Sequence, residues 1–285
     1  MNIIYVKIST NLIILYRGIN INKTYKSDKL PFLELTFNKD INGCPKSHIH
    51  DKLTIIALKN GNIKLHLKNN ELILQKRNIA VINPYQIHCA SKMNENSNGL
   101  YALYLDKDWI EELQNNLFGV CESILFVKNI IDDINIYNEF LILCKNIFSD
   151  TFSINKEEQI IQFISKLMMK NCDKLVINSK NILACDIKTY IDENINSNLS
   201  LEDISKQFLI TPFHLIRIFK KELNLTPYQY ILNQKINLAK ELLSKNISIS
   251  QVSLDTGFND QSHLYKYFKQ TFSISPKEYQ KSLIK

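Results

Sequence analysis

The first third of the chain carries apolar residues in short runs, and beyond about Asp106 they recur with a helical period. Leu33–Phe37, Leu53–Leu58, Ile63–Leu67, Glu71–Gln75, Ile79–Ile82 and Leu100–Leu105 are rich in Ile, Leu and Val, as strands are. From Asn62 to Lys68 every second residue is apolar, which places one face of a strand on a core. Asn60-Gly61 and Asn69-Asn70 separate runs, the first a strong hairpin signal. Short antiparallel strands at this spacing predict a small barrel or a double sheet. Further on, Ile134, Tyr137, Leu141, Cys144 and Phe148 form one helical stripe, and a second helix is expected over about Lys156–Met169. The stripe fits either a face packed on the sheets or a dimer seam. The polar stretch 171–181 reads as a linker between domains at 1–175 and 181–285.

The last domain is helical and contains a repeat. The segment from Leu199 aligns with that from Ile247 at an offset of 48 residues, rising to 49 after one extra residue near Asn259. Leu201 matches Ile249, Ile204 matches Val252, His214-Leu215 matches His263-Leu264, and Phe219-Lys220 matches Phe268-Lys269. Thr226-Pro227 matches Ser275-Pro276, and Tyr230 matches Tyr279. Ser200 with Asp203 and Ser248 with Gln251 predict capping boxes at the first helix of each copy. Gly257 suits a turn with φ > 0, and Thr211-Pro212 and Asp260 start the second helices. Helix, tight turn, helix is the helix-turn-helix layout.

On the first of these second helices Leu215, Ile218, Phe219 and Leu223 share a core face, opposite Phe213, His214, Arg217, Lys220 and Lys221. On the other, Leu264, Phe268 and Phe272 face inward, while Gln261, Ser262, His263, Lys266 and Lys269 face outward. Neither outward face bears a carboxylate apart from Asp260 at the cap. Hydrogen-bonding groups near the helix start, with cations along it, suit a helix lying in the major groove of double-stranded DNA. Charge agrees: from Thr211 onward there are 11 Lys+Arg and 5 Asp+Glu, against 24 and 23 before it. Almost all of the net +7 therefore lies in the segment that would meet phosphate.

The stretches HLIRIFKKELNLTP, KINLAKELL and ISQVSLDTGFNDQSHLYKYFKQTFSISPKEY resemble the AraC/XylS family of bacterial transcription regulators. The resemblance spans about Ile187–Lys285. It implies two helix-turn-helix units joined by a long helix, here about Pro227–Leu243, reading successive major grooves on one DNA face. Lys235 stands where the family usually has Arg, and Asn224 and Ser273 stand where it usually has Gly.

His48, His50, His66 and His88 all lie in the β region. In a strand, His48 and His50 point to one face, and Pro84-x-x-x-His88 brings a third ring near them. This looks like a weakened form of the cupin pattern, similar to the effector-binding domain that often precedes the AraC/XylS module. Cupin enzymes add a glutamate soon after the histidine pair, where this chain has Leu53-Thr54-Ile55-Ile56. No catalytic residue, metal or cofactor is therefore expected. His48, His50, Tyr85 and His88 are instead candidates for a small-molecule pocket.

At 285 residues the chain suits two domains, and 45% hydrophobic content is ordinary for globular proteins. Only six glycines occur, and none builds the GxGxxG or GxxxxGKS/T nucleotide loops. No apolar run near the N-terminus exceeds Leu12–Tyr16, too short for a membrane helix, and Met1–Ile21 lacks a signal-peptide pattern. Six cysteines never form CxxC, which fits reduced thiols and a cytoplasmic location. The expected class is α+β: a cupin-like barrel with a helical dimerisation segment, then an all-α double helix-turn-helix domain. The expected role is a transcription regulator, more an activator than a repressor. Its expected partners are DNA, a small-molecule effector, a second copy in a homodimer, and RNA polymerase. The competing reading is a metal-dependent cupin enzyme with an accessory DNA-binding tail.

Overall fold

The computed structural model describes residues 4–8, 11–15, 22–41, 43–68, 70–93, 96–118, 125–149, 153–171, 182–197, 199–223 and 225–284. The strands in chain order are β1 (Ile4–Ile8), β2 (Asn11–Leu15), β3 (Lys23–Tyr25), β4 (Leu33–Asp40), β5 (Cys44–His48), β6 (Lys52–Asn60), β7 (Asn62–Leu67), β8 (Asn70–Gln75), β9 (Ile79–Ile82), β10 (His88–Lys92) and β11 (Asn98–Asp106). After helix α1 (Lys107–Phe118) and strand β12 (Ile130–Ile131) come α2 (Ile134–Ile147), α3 (Ser153–Asn171) and α4 (Ile182–Glu193). Then follow α5 (Leu201–Gln207), α6 (Pro212–Leu223), α7 (Pro227–Ser244), α8 (Ile249–Asp255), α9 (Gln261–Phe272), α10 (Pro276–Ser282) and β13 (Leu283–Ile284).

Beyond the β1–β2 hairpin the strands form two sheets, ordered β5-β10-β7-β8 and β12-β9-β6-β11-β4-β3-β13. The double sheet follows from alternation. Ile63, Leu65 and Leu67 of β7 meet Ile56, Leu58, Ala80 and Ile82 from the larger sheet in one cluster. The intervening residues Leu53, Ile55, Ala57, Ile79 and Val81 point the other way and are covered by the helices after β11. A sheet buried on both faces reads as near-continuous apolar runs, as β6 and β9 do. The hairpin at Gly61 takes φ 77°, and a Cβ there would collide with the Ser97 backbone. Asn69, half of the second turn signal, lies outside the described residues.

On α2, Tyr137 and Cys144 are buried, Leu141 and Phe148 pack against the same core, and Ile134 is exposed. The stripe is thus largely a face packed on this chain's own sheets. Of the 171–181 linker all but Asn171, which ends α3, falls outside the described residues, as does Asn224, one of the two positions where the family usually has Gly.

The helical repeat is fixed by its caps. Ser200–Asp203, Thr226–Gln229 and Ser275–Glu278 form reciprocal capping boxes, and Pro227 and Pro276 open their helices. Asp260 caps α9 through the His263 amide at 2.7 Å. The Ser248–Gln251 box is only half formed: Ser248 accepts from the Gln251 amide, but the Gln251 side chain donates to Asp255 one turn on at 2.7 Å. Four residues (208–211) separate α5 from α6 and five (256–260) separate α8 from α9, which is the extra residue near Asn259.

Gly257 turns the second unit at φ 65°, whereas Leu209 does the same in the first at φ 52°. That conformation costs an L-residue about 1–2 kcal/mol, and Leu209 is 93% exposed, so no burial offsets it. Glycine carries an entropic cost of about 0.5–1 kcal/mol. Leu209→Gly is therefore expected to stabilise the chain by about 0.5–1 kcal/mol in urea unfolding, and a lower midpoint would contradict this. Ser273, also at φ 62°, is the left-handed cap that ends α9. Lys235, buried in α7, donates to the Gly257 carbonyl at 3.2 Å and so ties the long helix to the second unit's turn.

Candidate nucleic-acid interface and a buried cavity

In α6 the inward residues Leu215, Ile218 and Phe219 are buried, and the opposite face exposes Phe213, Arg217, Lys220 and Lys221. Leu264 and Phe268 bury the corresponding face of α9, leaving Gln261, Ser262, Lys266 and Lys269 exposed. His214 and His263 are only half-exposed. The His263 ring packs edge-on against Phe258 and Tyr267, at 5.4 and 4.8 Å between centroids, so it lies lower on the surface than its helical position implies. Tyr265, 44% exposed, adds an aromatic hydroxyl to the same face of the molecule. Its spacing gave no warning, because an aromatic in an amphipathic helix reads first as core.

A cavity of about 140 Å³ opens between the two sheets and the C-terminal helices. Most of its wall is apolar, with Ile56, Ile63, Leu65 and Leu100 on the sheet side and Phe272 and Ile274 on the helical side. His48, His88, Thr54, Tyr104 and Lys240 supply polar groups. Lys240 Nζ lies 2.6 Å from Glu34 Oε1, with Lys26 at 3.6 Å from the other oxygen. Burial alone would raise the Glu34 carboxyl, but the charges of Lys240 and Lys26 outweigh it and hold the group below its ordinary value. The Lys240 ammonium also sits over the Tyr104 and Phe272 rings at 4.6 and 4.9 Å.

Residues 48–50 divide between the two halves of the molecule. His48 and His50 turn their rings inward beside His88, with centroids 4.3–5.9 Å apart. Ile49, between them, is fully buried in the cluster formed by α4, α6 and α7. Its amide donates to the Asn233 side chain and its carbonyl accepts from the Asn237 side chain, both at 3.3 Å. Burial pushes the His48 and His50 imidazoles well below their ordinary value, with the neighbouring His88 adding to the effect, and holds His88 at about 4. Tyr85 does not join this group. Its backbone takes φ 60°, and its ring lies under the Lys188 ammonium at 3.4 Å, against the α4 side. His66 is elsewhere too, paired with Glu71 at 3.1 Å on an exposed face.

Residues 204–282 match the family model described as a helix-turn-helix domain, and residues 39–164 match the AraC-like ligand binding domain. The chain is also 33% identical over 111 residues to the multiple antibiotic resistance protein MarA of Salmonella typhimurium, covering 82% of that protein and 39% of this one. The chain belongs to the AraC/XylS family of transcription regulators. Among AraC/XylS relatives, the uncharacterized HTH-type transcriptional regulator YbfI of Bacillus subtilis is 24% identical over 221 residues, 76% of this chain and 80% of its own. A solved apo variant of ToxT from Vibrio cholerae superposes with a TM-score of 0.66, covering 89% of this chain and 98% of that one. Another ToxT structure, with an unsaturated fatty acid bound, has a TM-score of 0.60 and covers 87% and 94%. At 15% identity these show a shared two-domain AraC-type fold. This AraC/XylS chain is thus a DNA-binding transcription regulator with an N-terminal ligand-binding domain. Among its described residues no helix is long and apolar enough to cross a membrane.

Sequence reasoning missed Lys240 and Glu34. Each is an ordinary polar residue in its own element, and only the packing of α7 against β4 makes them a buried pair.

Proposed function

We propose that α6 and α9 enter successive major grooves of one operator, with Phe213, His214, Arg217, Lys220, Lys221, Gln261, Ser262, His263, Lys266 and Lys269 at the contact. The observation that carries this reading is the repetition: two helices at matching places in a duplicated unit expose cations and no mid-helix carboxylate. The second reading surface is also joined to the N-terminal half, since Lys46 of β5 lies over the Tyr267 ring of α9 at 4.4 Å. A small molecule in the cavity would touch Phe272 at the end of α9 and Lys240 on α7, and so bias the placement of α9. Apolar walls and one ammonium suit an amphiphile with an anionic head. The fatty acid of the ToxT structure is of that type.

We place the boundary between the two domains, 1–175 and 181–285, in 171–181 and infer a cytoplasmic activator that works as a homodimer and engages RNA polymerase. It acts by binding and not by catalysis; the cupin-enzyme alternative has no glutamate in the place its chemistry needs. The test is a gel-shift titration on DNA recovered by genome-wide mapping of bound sites. With five cations on the two faces reaching phosphate, log K should fall against log salt with a slope of about −4.5. A flat response would overturn the reading.

A further inference from the structure

The three buried histidines have a feature that a simple packed cluster does not require. Each Nδ1 is committed to a backbone carbonyl two residues away: His48 to Lys46 at 3.2 Å, His50 to Lys52 at 3.1 Å, and His88 to Gln86 at 2.8 Å. A carbonyl only accepts, so each Nδ1 carries the proton and each Nε2 keeps a free lone pair. One such tautomer has many explanations. Three in one cluster place three acceptor nitrogens on rings packed 4.3–5.9 Å apart. The Thr54 hydroxyl lies 3.4 Å from His50 Nε2 and, with that tautomer, donates to it. Pinning Nδ1–H to a carbonyl is also how proteins orient a metal-ligating imidazole.

We propose that His48, His50 and His88 form a binding site for one borderline divalent transition-metal ion, such as Zn²⁺ or Co²⁺, with its fourth position facing the cavity. One ring nitrogen from each residue lies within 4.8 Å of the others. Metal–nitrogen distances of 2.0–2.1 Å require nitrogens about 3.4 Å apart, so the rings close by roughly 1.4 Å at most. Three imidazoles suit such ions, whereas Mg²⁺ and Ca²⁺ require oxygen donors. The missing glutamate, which argued against a metal in the sequence, is not needed: three protein ligands and an open position make a complete site. His48 and His88 line the cavity, so the open position would take an oxygen of whatever occupies it. Loading the site would also brace the segment whose Ile49 is seated in the C-terminal half.

The full-length chain, stripped with a chelator and titrated with Co²⁺, tests this. One Co²⁺ per chain is expected, with the intense visible bands of a low-coordinate site. Its NMR spectrum should show three exchangeable, hyperfine-shifted imidazole N–H signals, one per pinned Nδ1. His48→Asn and His88→Gln should each lose about 100-fold or more in affinity, since disturbing even the partners of a ligand costs about 10–100-fold. His66→Asn, outside the cluster, should bind as wild type. Absence of the bands in the wild type, fewer than three shifted signals, or unchanged affinity in a folded His48 or His88 variant would overturn the site. The wild-type spectra decide even if both variants fail to fold.

Discussion

Arg217→Ala is expected to weaken operator binding about 5–150-fold, and Lys266→Ala by a similar factor, because a contact to base or phosphate contributes about 1–3 kcal/mol. Both side chains are exposed, so stability should change by no more than about 0.5 kcal/mol. They stand on separate units of the repeat, α6 and α9, and their effects should add. Gel-shift titration alongside urea unfolding separates lost contact from lost fold. Intact affinity in both variants would remove DNA contact from these faces.

Lys240→Met should destabilise the folded chain by about 3 kcal/mol at neutral pH, the lower end for breaking a buried pair, because Lys26 still faces Glu34. The methionine fills the lysine stem's place between Tyr104 and Phe272, so the loss is one of charge and not of packing. Replacing both partners, Glu34→Leu with Lys240→Met, should restore most of that stability, since no charge is then buried alone. Acid acts in the same direction as the single change. The Glu34 carboxyl is held below its unfolded value of 4.5, so the unfolded chain takes up that proton first. The stabilisation is complete above that value and fades as pH falls through the lower folded value. A single variant as stable as wild type would show that the pair holds nothing together.

The DNA-binding half was legible because its signals are local. A cap and its helix lie within four residues, and Pro227 and Pro276 mark helix starts without any tertiary information. The apolar strands were legible for the same reason. Strands β5 and β10 were not, because Cys44–His48 and His88–Lys92 are polar and become strands only by pairing, Ala90 with Cys44 and with Leu65. Pro45 is tolerated because β5 is the edge of its sheet. Strand alternation predicted that His48 and His50 share a face, but β5 ends at His48 and His50 lies in the link to β6, so their meeting with His88 comes from the packing and not from alternation. Tyr85 stays apart, since nothing local announces its left-handed backbone. Glu34 and Lys240 are 206 positions apart and could be joined only by the packed structure.

The central claim is that two recognition helices read two adjacent grooves. Hydroxyl-radical footprinting of the operator, with wild type, Arg217→Ala and Lys266→Ala side by side, measures this directly. The wild type should protect two patches about 10.5 base pairs apart on one DNA face. Each variant should lose one patch and keep the other. A single patch in the wild type, or loss of the same base pairs in both variants, would contradict the account.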